Sequence, residues 1–93
     1  MISKEQADVV ALKALEWLAG HEDLLMTFLG ATGANLGDIK DNARDSMFLG
    51  SVLDFILMDD DWVREFSDAH GYKYDMVYHV RQALPGGEIP NWT

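Results

Sequence analysis

His21, His70 and His79 are the only imidazoles in the chain, and it has no cysteine. Imidazole and thiolate are the groups that most readily bind transition metals or serve as base and nucleophile near neutral pH. Thiol chemistry and disulfides are therefore excluded together. No His lies three or four residues from another and no His-Glu-x-x-His occurs, so zinc spacing is missing. His70 stands before Gly71, where a cationic side chain suits the C-terminal end of a helix, and capping is its expected job. His79, without a companion, reads as a core-edge or partly exposed residue. The run Asp59-Asp60-Asp61 offers carboxylate oxygens of the type that hard cations take. Yet successive helical residues point about 100° apart, and no spaced loop of further ligands follows. Acids at the start of a helix complement its dipole, and Glu22-Asp23 opens an earlier helix in the same way. No metal or cofactor is expected.

Nucleophile and phosphate motifs are also lacking: no Gly-x-Ser-x-Gly, Gly-x-x-x-x-Gly-Lys or Gly-x-Gly-x-x-Gly occurs. Of the serines, Ser3 and Ser46 sit where helices begin. The expectation is a non-enzymatic protein.

The elements that carry these residues are written twice. Leu15–Ala43 aligns without a gap on Leu53–Arg81, 38 positions on, with Leu15, Asp23, Phe28, Ala31 and Gly33 meeting Leu53, Asp61, Phe66, Ala69 and Gly71. Glu16, Trp17, Leu18, Glu22 and Leu25 face Asp54, Phe55, Ile56, Asp60 and Val63, so chemical character repeats as well. Each copy reads as three helices.

The first helix starts at Ser3 through a Ser-x-x-Gln capping box with Gln6 and stops at Gly20. Ala7, Ala11, Ala14, Leu15 and Leu18 line one face, with Val10 and Trp17 on its flank. The second runs from about Glu22 to Gly30, with Leu24, Leu25, Phe28 and Leu29 inward, and Gly30 to Gly33 supply its stop. A short third helix starts at Asn35 and turns Leu36, Ile39 and Ala43 inward. In the second copy Asp45 caps a helix from Ser46 to Met58 that is apolar almost all round and belongs at the centre; only Gly50, Ser51 and Asp54 form its polar stripe. Asp59 to Asp61 then open a helix burying Trp62, Val63 and Phe66 and ending at His70-Gly71. The last helix spans about Tyr74 to Leu84, halted by Pro85. No alternating apolar run suggests a strand.

Sixteen acids against seven bases give a net charge of −9, which repels phosphate backbones and anionic lipid and suits basic partners. No secretory signal opens the sequence, and its longest apolar run falls far short of about 18 residues. A cytoplasmic protein with no membrane association is expected. Two features point to a protein partner: Val9 and Leu12, beside Glu16 on the less apolar side of the first helix, and the 85–93 tail with Pro85, Ile89 and Trp92, either a strap returning to the bundle or a partner's anchor. The alternative is a helix-turn-helix-like nucleic-acid binder. Gly33 to Ile39 and Gly71 to Val77 imitate that motif's turn spacing, and the 74–84 helix offers Lys73, Tyr78, His79, Arg81 and Gln82 for phosphate or base-edge contacts. Such binding needs a basic footprint that this composition lacks.

The phrases Ala14-Leu15-Glu16-Trp17-Leu18-Ala19 and Val52-Leu53-Asp54-Phe55-Ile56-Leu57, and the ending Ala83-Leu84-Pro85-Gly86-Gly87 with a distal Trp92, resemble a proteobacterial family of small helical proteins, the domain of unknown function family 3572. The resemblance covers nearly the whole chain. It implies an all-helical cytoplasmic bacterial protein with no established activity, substrate or cofactor, and it assigns no functional residue. Family members often place Pro where this chain has His21 or Glu22 and Asn35, so those helices are expected to rely on side-chain caps.

The expectation is thus one all-α domain over residues 1–93, a compact six-helix bundle of two three-helix units related by a pseudo-twofold axis. Its core holds Trp17, Phe28, Leu53, Phe55, Ile56, Trp62 and Phe66, and it serves as an interaction or regulatory module, monomeric or weakly dimeric.

Overall fold

Six helices follow one another in the computed structural model, which describes residues 2–85: α1 (Lys4–Ala19), α2 (Glu22–Thr32), α3 (Leu36–Asn42), α4 (Ser46–Ile56), α5 (Asp60–His70) and α6 (Met76–Gln82). No strand occurs among the described residues. The tail residues Ile89 and Trp92 lie outside them.

Local chemistry sets most of the helix starts. The Ser3 hydroxyl accepts the Gln6 N–H at 3.1 Å while the Gln6 side chain accepts the Ser3 N–H at 3.1 Å, the reciprocal box that satisfies two otherwise orphaned donors. Asn35 and Asp38 close the same box at the start of α3, each bond 3.0 Å. Asp45 caps α4 through the Met47 N–H, and Asp59 caps α5 through the Asp61 N–H. α2 departs from expectation, because the His21 side chain makes no cap bond. Its Nδ1 lies 2.7 Å from the Trp17 carbonyl oxygen. A carbonyl only accepts, so His21 carries its proton on Nδ1 and closes the end of α1 instead of opening α2.

Gly33 and Gly71, with φ of 75° and 71°, end α2 and α5 in the left-handed conformation that costs glycine little. Gly30, expected in the stop, is inside α2. α4 ends at Ile56, short of Met58, and α6 is two residues shorter at each end than the span Tyr74–Leu84.

The core forms where α4 lies against α1, with α2 packed on α1, α5 on α4 and α6 on both. Ala7, Ala11 and Ala14 are wholly buried, and their small side chains let α1 approach its neighbour closely. The Ser46 hydroxyl on α4 donates to the Asp8 carboxylate on α1 at 3.1 Å, a bond between residues 38 apart, the offset of the sequence repeat. Phe28 and Phe66, equivalent in that repeat, are both fully buried. Phe28 meets Phe55 edge-on at 5.5 Å, and Phe66 meets Trp17 edge-on at 6.1 Å. Trp62, expected in the core, is only half-buried. It lies flat against Phe55 at 4.8 Å, covering that ring from outside.

The third helices differ. α6 buries Val77 and Val80, whereas α3 buries no residue and Leu36, expected inward, is 63% exposed. From α3 only Ile39 packs against the core, and only partly buried, so the capping box does more of the work of holding this helix.

Candidate interaction face

The outer stripe of α1 reads Glu5, Val9, Leu12 and Glu16, spaced by four, three and four residues, which puts all four on one side of the helix. All are exposed, with Val9 at 53% and Leu12 at 37%. The stripe sets two apolar side chains between two carboxylates over about 16 Å of helix. Bases nearby on α1 are turned elsewhere: the Lys4 ammonium lies 3.3 Å from Asp8, and Lys13 lies 5.9 Å from the Tyr72 ring centroid. Among the described residues neither Glu5 nor Glu16 has an ionic partner.

A groove runs along each side of this ridge. One, of about 620 Å³, is lined by Ile2, Glu5, Gln6, Val9, Val10 and Met76, between the start of α1 and the start of α6. The other, of about 210 Å³, is lined by Asp8, Val9, Leu12, Ala43, Arg44 and Leu49, between α1 and the α3–α4 junction. Val9 belongs to both. Sequence reasoning singled out Val9 and Leu12 but missed Ile2 and Met76. The signal for Ile2 was present, since an apolar residue just before a capping Ser commonly packs back on the first turn.

The residues named for nucleic acid do not form a free basic surface. Arg81 is turned inward, its side chain 13% exposed. Its Nε donates to Asp54 Oδ1 at 2.6 Å and its Nη2 to Asp54 Oδ2 at 3.1 Å, a bidentate pair, while Nη1 donates to the Pro85 carbonyl at 3.0 Å. Gly50, expected on a polar stripe, is buried under this guanidinium: a Cβ there would fall 2.9 Å from Nη1. His79 faces Asp75 at 3.5 Å. Tyr78 is exposed beside a hollow lined by Asp60, Arg64, Tyr74 and Asp75, and Lys73 and Gln82 are exposed. Carboxylates from outside α6, Asp54 and Asp75, thus lie against its Arg81 and His79, a poor match for a phosphate backbone. Pro85 is half-buried under the Arg81 bond.

Among the described residues no three of His, Asp and Glu converge in a way that could hold a metal. Among the described residues no helix is long and apolar enough to cross a membrane.

A model for a protein of unknown function, DUF3572, matches residues 4–87. The chain belongs to the DUF3572 family. No curated protein and no solved structure matches it. The DUF3572 match takes in all six helices, the α1 stripe and the Arg81–Asp54 pair, and ends before Ile89 and Trp92. Membership brings no assigned activity, so any role for these residues rests on their own chemistry.

Proposed function

We propose that this DUF3572 protein is a cytoplasmic, non-enzymatic interaction module whose binding face is the outer side of α1. The stripe Glu5-Val9-Leu12-Glu16 carries this reading, with two exposed aliphatic anchors between carboxylates that have no ionic partner among the described residues. Its complement is a partner segment with two apolar side chains flanked by Lys or Arg. The apolar pair supplies contact area, and the flanking charges set register and hasten encounter. The net charge of −9 draws such a segment in and turns nucleic acid away. The two three-helix units, read as related by a pseudo-twofold axis, serve as a rigid base for α1.

A photo-crosslinking amino acid at Val9, with Glu65 on α5 as the control position, would capture the partner in native cells for identification by mass. Purified, that partner is expected to bind less tightly to Val9→Asp and Leu12→Asp, and to Glu5→Gln/Glu16→Gln mainly at low salt. Equal capture from both positions, or affinity indifferent to all three variants, would remove the reading.

A further inference from the structure

A hollow lies between the second and third helices of each copy of the repeat, and the two hollows differ in chemistry. The one between α2 and α3, of about 650 Å³, is lined by Met26, Leu29 and Leu36 among other uncharged residues. The one between α5 and α6, of about 260 Å³, is lined by Asp60, Val63, Arg64, Tyr74, Asp75 and Tyr78. At the 38-residue offset Met26, Leu36 and Gly37 correspond to Arg64, Tyr74 and Asp75, and Lys40 to Tyr78. The first copy pairs its helices without a ring or a carboxylate at the places of Tyr74, Asp75 and Tyr78. Joining two such helices therefore does not call for them.

Val63, 5% exposed, gives the α5–α6 hollow an apolar floor, while Tyr74 and Tyr78 are both about half exposed. The Tyr74 phenol donates to Asp68 on α5 at 3.0 Å, which holds that ring across the gap between the two helices. Among the described residues Asp60 has no ionic partner, and Asp75 has only His79, at 3.5 Å. Arg64 is the one base of the lining, and its guanidinium is bonded to Asp61, which lies outside the hollow. An apolar floor, two tyrosine rings and two carboxylates fit a cation carried on an apolar stem. The size selects further, since pockets for small molecules run from about 300 to 1,000 Å³. A single side chain suits this one better than a metabolite. Guanidinium is favoured over ammonium because it lies flat on a ring while its fork of N–H groups meets a carboxylate.

We infer that the α5–α6 hollow seats one arginine side chain of a partner protein, its stem over Val63 and its guanidinium against the Tyr78 ring between Asp60 and Asp75. The net charge of −9 favours the approach of such a segment. The hollow shares no lining residue with either groove beside α1. It is tested without the α1 partner, so its failure and that of the partner reading are separate results.

The full chain, with its three tyrosines carrying carbon-13 in the ring, gives signals that Tyr72→Phe, Tyr74→Phe and Tyr78→Phe assign. The probe is an end-blocked Gly-Gly-Arg-Gly-Gly peptide. It is expected to shift Tyr74 and Tyr78 saturably and to leave Tyr72 in place. The same peptide with norleucine for Arg, a stem without a charge, is expected to do neither. Asp60→Asn should weaken the Arg peptide about two- to fivefold, and Tyr78→Ala by a similar factor. Glu22→Gln removes the same charge at the equivalent place of the first copy and should leave its affinity unchanged. The absence of a saturable shift would overturn the proposal, as would equal shifts from the norleucine peptide. Equal weakening by Glu22→Gln would reduce the effect to general attraction by an acidic protein and overturn it too. Binding of propylguanidinium but not of the peptide would assign the hollow to a free guanidine, and a Lys peptide binding as tightly would remove the choice of arginine; either result overturns the proposal as stated.

Discussion

Helices α3 and α6 have seven residues each and stand at equivalent places in the repeat, yet they are held by opposite means. α3 has its Asn35–Asp38 box and no fully buried residue, Ile39 being only partly covered; α6 has no side-chain cap but buries Val77 and Val80 and is tied down by Arg81. A helix this short is not stable alone. One copy therefore keeps its third helix by satisfying its own end, and the other by joining the core. The two α1 grooves inherit the difference, since one is walled by the anchored α6 and the other by the surface-held α3–α4 junction.

The sharpest way to break this comparison is to truncate one apolar side chain on each helix. Val80→Ala removes two buried methyl groups and is expected to cost about 2 kcal/mol of global stability. Leu36→Ala, at an exposed position, is expected to stay within about 0.5 kcal/mol. Urea unfolding with unchanged slopes would measure both. Equal losses would mean that α3 belongs to the core after all.

The Arg81 clasp comes next in size. Asp54 is more than half exposed, so the ionic part is screened, and most of the loss in Arg81→Ala comes from the buried stem and the released Pro85 carbonyl. A cost of about 1–2 kcal/mol is expected. The close approach over Gly50 gives an independent check. Gly50→Ala gains helix propensity worth about 1 kcal/mol but displaces the guanidinium. It should be near neutral in the native chain and stabilising in the Arg81→Ala background, a coupling that a double-mutant cycle reads directly.

Which features were legible in the sequence follows from the range of the interactions. Ser3 with Gln6, Asn35 as a cap, and Gly33 and Gly71 as stops are relations within a few residues, and the helical period carried the buried face of α1 from Ala7 to Leu18. Asp54 and Arg81 are 27 positions apart, and nothing local marks them as partners, so Arg81 read as a free cation and Gly50 as surface. Leu36 and Trp62 were placed inside on hydrophobicity alone. Whether α3 reaches the core and what covers Phe55 are tertiary matters. Of the candidate face, Val9 and Leu12 were visible as apolar residues on the wrong side of α1. The grooves beside them were not, because Met76 comes from a distant helix.

Asn35→Ala sharpens the comparison at its other end. Loss of the box should cost about 1 kcal/mol, felt as faster amide exchange confined to residues 36–42, with global unfolding barely moved. If unfolding of the whole domain shifted by the same amount, α3 would be cooperative with the core and the contrast with α6 would fail.

The smallest effect concerns the connections into these helices. Before α3, the Thr32 hydroxyl accepts the Ala34 N–H at 3.3 Å, a bond local to the turn. Before α6, the Tyr74 phenol reaches back to α5 and donates to Asp68 at 3.0 Å. Losing the phenol proton would forfeit that bond and set two anions together, so Tyr74 is held above its ordinary value of 10.0, by the hydrogen bond first and the Asp68 charge second. The folded protein keeps this proton where the unfolded chain has released it. The contribution is therefore fully present below pH 10 and is lost as the pH rises through the folded value. The tyrosinate absorbance missing from Tyr74→Phe should titrate above pH 10, and Asp68→Asn should bring its midpoint down. A Tyr74 midpoint unmoved by Asp68→Asn would show that the link to α5 is not made in solution, leaving α6 to rest on Val77, Val80 and Arg81 alone.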